Sequence, residues 1–175
     1  MSTTVHDGRF SADLDADERV VFLIGMRINR MRALRSWLPV LAAMPRMLRE
    51  LAARPELGML DARTYLSGRV VMVVQYWRSI DDLHAYARAP DHLHLPAWTA
   101  FHRAVAGTGT VGIFHETYRV TPGSFETLYG GMPRFGLAAA TRHVPADRLG
   151  RSARRRLHRG GPDVPAVEVT PTGGG

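Results

Sequence analysis

Two segments of this chain, RVVFLIGM (19–26) and VVMVVQYW (70–77), are apolar at nearly every position instead of alternating with polar residues. In a strand, successive side chains point to opposite faces, so such segments are apolar on both sides. Val20, Phe22, Ile24 and Met26 share one parity of the first, and Val21 and Leu23 the other. Val71 and Val73 share one parity of the second, and Val70, Met72 and Val74 the other. A chain carrying both must cover both faces of its sheet. This constrains the fold more than any other feature of the sequence.

The rest of the chain supplies cover for one face. A helical region, SWLPVLAAMPRMLRELAARPELG, follows the first strand, with Leu41, Met44, Leu48 and Leu51 at helical spacing and Ser36 as the expected N-cap. Pro39 and Pro45 predict a short first turn and then a helix from about Pro45 to Arg54. TYL and VVMVVQYW flank Ser67-Gly68, a hairpin signal. SIDDLHAYARAP predicts a helix capped by Ser79 and stopped by Pro90, followed by a second helical segment from about Pro96 to Ala106. TGTVGIFHETYRV (108–120) reads as the fourth strand, and SFETLYGGMP (124–133) as a short fifth.

The order β-α-β-β-α-β predicts an α+β, ferredoxin-like antiparallel sheet with helices on one face. The second face needs another cover. The economical one is the same sheet from a second subunit about a two-fold axis, a dimeric α/β barrel. The expected organisation is a flexible lead over 1–17, this domain over 18–140, and a disordered Arg/Gly/Pro-rich tail over 141–175.

Composition excludes several chemistries. With 175 residues, 45% of them apolar, the chain suits one domain with tails. There is no cysteine, so disulfides, thiolate metal sites and cysteine nucleophiles are out. All 23 basic residues are arginine, which removes Schiff-base chemistry and a P-loop lysine. The N-terminus lacks the apolar core of a signal peptide, and no apolar run approaches the roughly 20 residues that span a bilayer. The expectation is a cytoplasmic protein, with weak membrane-surface contact through the Arg-flanked LPVLAAM left open. Residues 142–160 hold seven arginines against Asp147, a segment that could reach nucleic acid but more often is a solvated tail.

The blocks VVFLIGMRINR, Trp37 before LPV, MPRML, PELGML, VQYWRS, LHAYAR, HLPAWTAFHR, VGIFHETY and LYGGMPRFGL occur in that order. Together they resemble a monooxygenase-like family of uncharacterised function in the dimeric α/β-barrel superfamily, over roughly residues 18–140. The resemblance implies the dimeric barrel. It also implies a choice of chemistries, since that superfamily holds cofactor-independent oxygenases of aromatic polyketides, haem enzymes such as aldoxime dehydratases and haem-degrading oxygenases, and regulatory members. It carries no catalytic residues over, and fold alone does not set function.

Candidates therefore come from the residues. HLHLPAWTAFHRA (92–104) puts His94, Trp98 and His102 at i, i+4, i+8, with Pro96 placing His94 just before the helix. An imidazole titrates near neutrality, so His94 is a candidate base or axial haem ligand; the bland reading is a half-exposed histidine packing on Trp98. His92 and His94 form an H-x-H pair without an evident third ligand, and no metal is expected. His115 and Glu116 are strand neighbours on opposite faces. His115 is a candidate base or haem ligand, and Glu116 a candidate pocket acid with Arg27 as partner; a sheet-bracing pair is the structural alternative. Asn29, with Trp77 or Trp98, could position oxygen and an enolate; otherwise it ends its strand. Tyr76, Trp77, Tyr86, Tyr118 and Tyr129 could line a pocket for a flat apolar ligand, or be ordinary core. GTGTVG (107–112) precedes a strand, the wrong geometry for a phosphate cradle. The expected activity is a cofactor-independent oxygenase acting on a small apolar or aromatic molecule, with a haem enzyme or a non-catalytic ligand-binding module as alternatives.

Overall fold

The computed structural model describes residues 4–89 and 108–158. In chain order the elements are β1 (His6–Asp13), β2 (Arg19–Ile28), α1 (Leu34–Ala53), β3 (Met59–Ser67), β4 (Val70–Trp77), α2 (Ile80–Arg88), β5 (Val111–Val120), β6 (Tyr129–Met132), α3 (Leu137–Ala140), β7 (Arg142–Pro145) and α4 (Ala153–His158). They form two compact units, one of residues 16–120 and one joining the first 15 residues to the chain after Val120.

The 16–120 unit is the ferredoxin-like α+β fold. Its strands run in the order β3-β4-β2-β5, all neighbours antiparallel. The two apolar strands, β2 and β4, are central, where pairing on both edges hides the most backbone. Val20, Leu51, Trp77, Leu83 and Tyr86 form one buried cluster, and Met26, Ile28 and Val111 another with Trp37, Val40 and Leu41 against it. Every sheet residue in these clusters has one parity, so α1 and α2 cover the same face. The other face carries Val21, Leu23, Val70, Met72, Val74, Tyr76 and Phe114. Among the described residues, no helix of this unit packs on it.

Local signals held unevenly. Ser79 caps α2 as expected: its Oγ accepts from the Asp82 amide at 3.1 Å. The β3–β4 hairpin turns through Gly68, whose φ of +54° suits glycine. The proline expectation for α1 fails. The helix is continuous from Leu34 through Pro39 and Pro45, and its N-cap is Ala33, not Ser36. Both prolines lie on the exposed face, where a carbonyl deprived of its amide partner can turn to water.

The largest correction concerns the ends. The expected flexible lead contains β1, the central strand of a sheet ordered β6-β1-β7. Ser11 and Ala12 are buried, and both bond to Thr127, Ser11 Oγ donating to the Thr127 carbonyl at 2.8 Å. The segment 141–158, expected to be part of a disordered tail, forms β7, a short 3-10 turn and α4. Its arginines do not merely repel one another. Arg156 is buried, with its guanidinium on the Glu126 carboxylate at 2.6 Å and on the carbonyls of Gly150 and Arg151 at 3.1 Å each. The predicted fifth strand exists as β6, but it pairs with β1 and belongs to this second unit rather than to the ferredoxin-like one.

Candidate functional site

The sheet register builds a site from the residues that share the helix-covered face. Phe22 of β2 lies opposite Gln75 of β4 on one side and Thr117 of β5 on the other; Ile24 lies opposite Val73 and His115. Helix α1 brings Met44, Met47 and Leu51 over this patch, and α2 brings Leu83, His84, Tyr86 and Ala87. Between them is a cavity of about 220 Å³, with walls mainly apolar.

Its polar groups are few and placed by the core. Trp77 is fully buried, and its indole Nε1 donates to Gln75 Oε1 at 2.9 Å. That bond occupies the Gln75 oxygen and leaves its NH₂ as the group that can donate to a ligand. Tyr86 packs 5.8 Å from the Trp77 ring and donates its hydroxyl to Glu50 Oε2 at 3.1 Å. Burial, and then the charge of Glu50, push the Tyr86 phenol far above its ordinary value, so it remains a protonated donor. His115 reaches the cavity from β5, its ring centroid 5.9 Å from that of Phe22. His84 reaches it from α2.

The expected candidates divide by strand parity. His115, Trp77 and Tyr86 are brought together at the cavity. Tyr76, Glu116, Tyr118 and Arg27 stand on the opposite face of the sheet. Glu116 accepts from the Tyr118 hydroxyl, two residues along its own strand, and Arg27 donates to Asn29. The expected Arg27–Glu116 pair is not formed, because Glu116 lies opposite Leu23 and Arg27 opposite Gly112. Asn29 closes the end of the sheet, donating its side-chain amide to the Gly109 carbonyl at 3.1 Å. Trp77 pairs with Val20, nine positions back along β2, about 30 Å of extended chain from Asn29, so the two cannot act on one ligand. Tyr129 belongs to the second unit. His92, His94, Trp98 and His102 lie outside the described residues.

His84, Gln75 and Glu50 were not among the candidates. The first two were accessible by pattern: Gln75 has the parity of Val73 and Trp77, and His84 precedes Ala87 by one helical turn. Glu50 was not, because its role depends on α1 and α2 meeting. Among the described residues, no three His, Asp or Glu side chains gather as metal ligands. An imidazole of His84 or His115 could serve as an axial haem ligand. The cavity formed by the described residues is smaller than the roughly 300–1,000 Å³ of pockets for drug-sized ligands.

A family model described as monooxygenase af470-like matches residues 19–137. The chain belongs to the monooxygenase af470-like family. Monooxygenase af470 of Aspergillus fumigatus is 30% identical over 84 residues, which cover 45% of this chain and 29% of that protein. The matched region is thus under a third of that relative's length. Among solved structures, aldoxime dehydratase OxdRE in complex with butyraldoxime superposes with a TM-score of 0.55 at 20% identity, over 66% of this chain and 34% of that one. This likeness shows a shared fold. SnoaB, a cofactor-independent oxygenase from Streptomyces nogalater, has a TM-score of 0.42 at 17% identity, over 59% of this chain and 92% of its own. A dimeric ferredoxin-like protein from Jannaschia sp. CCS1 has a TM-score of 0.40 at 19% identity, over 56% and 97%.

Proposed function

We propose that this member of the family is a cofactor-independent monooxygenase acting on a small apolar or aromatic molecule with an acidic C–H or O–H. The observation that carries the reading is the pairing of His115 and His84 on different walls of one mainly apolar cavity. Apolar walls favour an uncharged substrate. Imidazole accepts and returns protons near neutrality.

In the proposed reaction His115 removes a proton from an activated CH₂, and Gln75 donates to the oxygen of the resulting enolate. The carbanion transfers one electron to O₂, and the radical pair joins as a peroxide anion on carbon, which takes the proton back from His115. His84 removes the second C–H proton as the O–O bond breaks, which leaves a carbonyl, and returns that same proton to the departing hydroxide as water. The balance is R₂CH₂ + O₂ → R₂C=O + H₂O, with oxygen the only oxidant. The apolar sheet face that no described helix of the 16–120 unit covers supports pairing of two copies, each copy keeping its own cavity.

The test is oxygen uptake by the purified protein, with no cofactor added, on anthrone-type substrates that carry an activated CH₂. His115→Ala is expected to lower turnover by about 10²–10⁴-fold, the range of a lost acid–base group. Uptake unchanged in both His115→Ala and His84→Ala would overturn the assignment. A saturable Soret band on haem titration would move the reading to the haem alternative.

A further inference from the structure

One end of the 16–120 unit combines large exposed apolar side chains with positive charge. Met31, Leu34, Leu38 and Leu66 are exposed to 46%, 51%, 47% and 77%. Hydrogen bonds bring their segments together. The Ile28 amide donates to the Arg69 carbonyl at 2.9 Å and Arg69 Nη1 to the Asn29 carbonyl at 3.4 Å, so the β3–β4 turn stands beside the chain between β2 and α1. Trp37 Nε1 donates to the Met31 carbonyl at 3.0 Å, folding that connection onto the first turn of α1. Leu34 and Leu38 are one turn apart and share a stripe.

The same end carries Arg30, Arg32, Arg35 and Arg69, all exposed. No Asp or Glu occurs between Arg19 and Arg49, or between Ala62 and Ile80. A merely solvated surface mixes both signs and keeps aliphatic side chains scattered. Here one sign of charge surrounds four exposed aliphatic side chains.

We propose that this end docks on an anionic lipid bilayer surface. The aliphatic side chains enter the headgroup–acyl boundary, and the guanidinium groups pair with lipid phosphates and carboxylates while their stems lie along the apolar layer. Contact is interfacial, since no helix among the described residues is long and apolar enough to cross a membrane. A nucleic acid would use the arginines but not the aliphatic side chains. A second copy packed on this end would bring like charges together.

The 175-residue chain should co-sediment with phosphatidylcholine/phosphatidylserine vesicles and bind pure phosphatidylcholine vesicles about tenfold or more weakly. The double variant Arg32→Gln/Arg35→Gln should lose about thirtyfold in affinity at low salt. Leu34→Ser/Leu38→Ser should lose the binding that survives high salt, with an unchanged circular dichroism spectrum. A control, Arg151→Gln/Arg154→Gln, should behave as the parent. Three results would overturn the proposal: no binding to either vesicle, binding that only the control variant loses, or a leucine variant that changes oligomeric mass without changing vesicle affinity.

Discussion

His143 shows how a single residue acquires a property its type does not announce. Its ring stacks on Phe10 at 4.4 Å and meets His6 edge-on at 4.9 Å, and its Nε2 is buried without a hydrogen-bond partner. Burial, then the neighbouring charges of His6 and Arg134, hold it below the ordinary imidazole range. The unfolded chain takes up this proton near pH 6.5 and the folded one resists it. The stability His143 contributes is therefore complete above that pH and is lost as pH falls from about 6.5 toward the depressed folded value. His143→Phe keeps a stacking ring and cannot titrate, so hydrogen exchange of the β1 and β7 amides should become less acid-sensitive between pH 7 and 5. An unchanged pH dependence would mean another group controls it. That His115 and Glu116 face opposite ways was legible from strand alternation. Which of them meets the cavity was not, because parity has no sign until the helices choose a face.

At the scale of elements, short-range rules worked where one bond decides the outcome. Ser79 caps α2, its hydroxyl also donating to Asp82 Oδ2 at 2.9 Å, while Arg78 grips the same carboxylate at 2.8 Å. Hydrogen bonding from Arg78 pulls the Asp82 carboxyl below its usual range. Prolines misled for α1, because their cost depends on which face they occupy. Strand β2 carries a condition that periodicity does not reveal. A Cβ at Gly25 would lie 2.5 Å from Phe114 Cζ and 2.7 Å from the Val71 carbonyl oxygen. Gly25 is thus the position over which the Phe114 ring lies, and the backbone contact cannot swing aside. Gly25→Ala should destabilise the 16–120 unit by about 1–3 kcal/mol, the usual cost of overpacking, as read by urea denaturation. A neutral effect would mean that the strand shifts without cost.

For the whole molecule, the sheet face that no described helix of the 16–120 unit covers is the main consequence of the two-sided strands. Burying one face under helices leaves Val21, Leu23, Met72, Val74 and Tyr76 on the other. A homodimer through this face is the expected solution state. Val74→Arg places a charge at its centre, on β4 opposite Leu23, while leaving the cavity face untouched. Analytical ultracentrifugation should find a dimer for the parent and a monomer of native secondary structure for the variant. A parent that is monomeric at micromolar concentration would remove this interface.

What the sequence determined by itself was local or repetitive. The βαββαβ order follows from changes of hydrophobic period, and the need for a second cover follows from apolar residues on both parities of β2 and β4. Neither requires knowing what touches what. The second unit was decided only in three dimensions. Its strand β1 meets β6 and β7 across more than a hundred residues, and its buried Arg156 is tolerated because Glu126 and two carbonyls satisfy it. A short polar strand and an arginine-rich run look solvated when read alone. The cavity has the same origin: His84, His115, Gln75 and the Glu50–Tyr86 pair come from four elements. Their chemistry exists only once the sheet register and the helix-covered face bring them together.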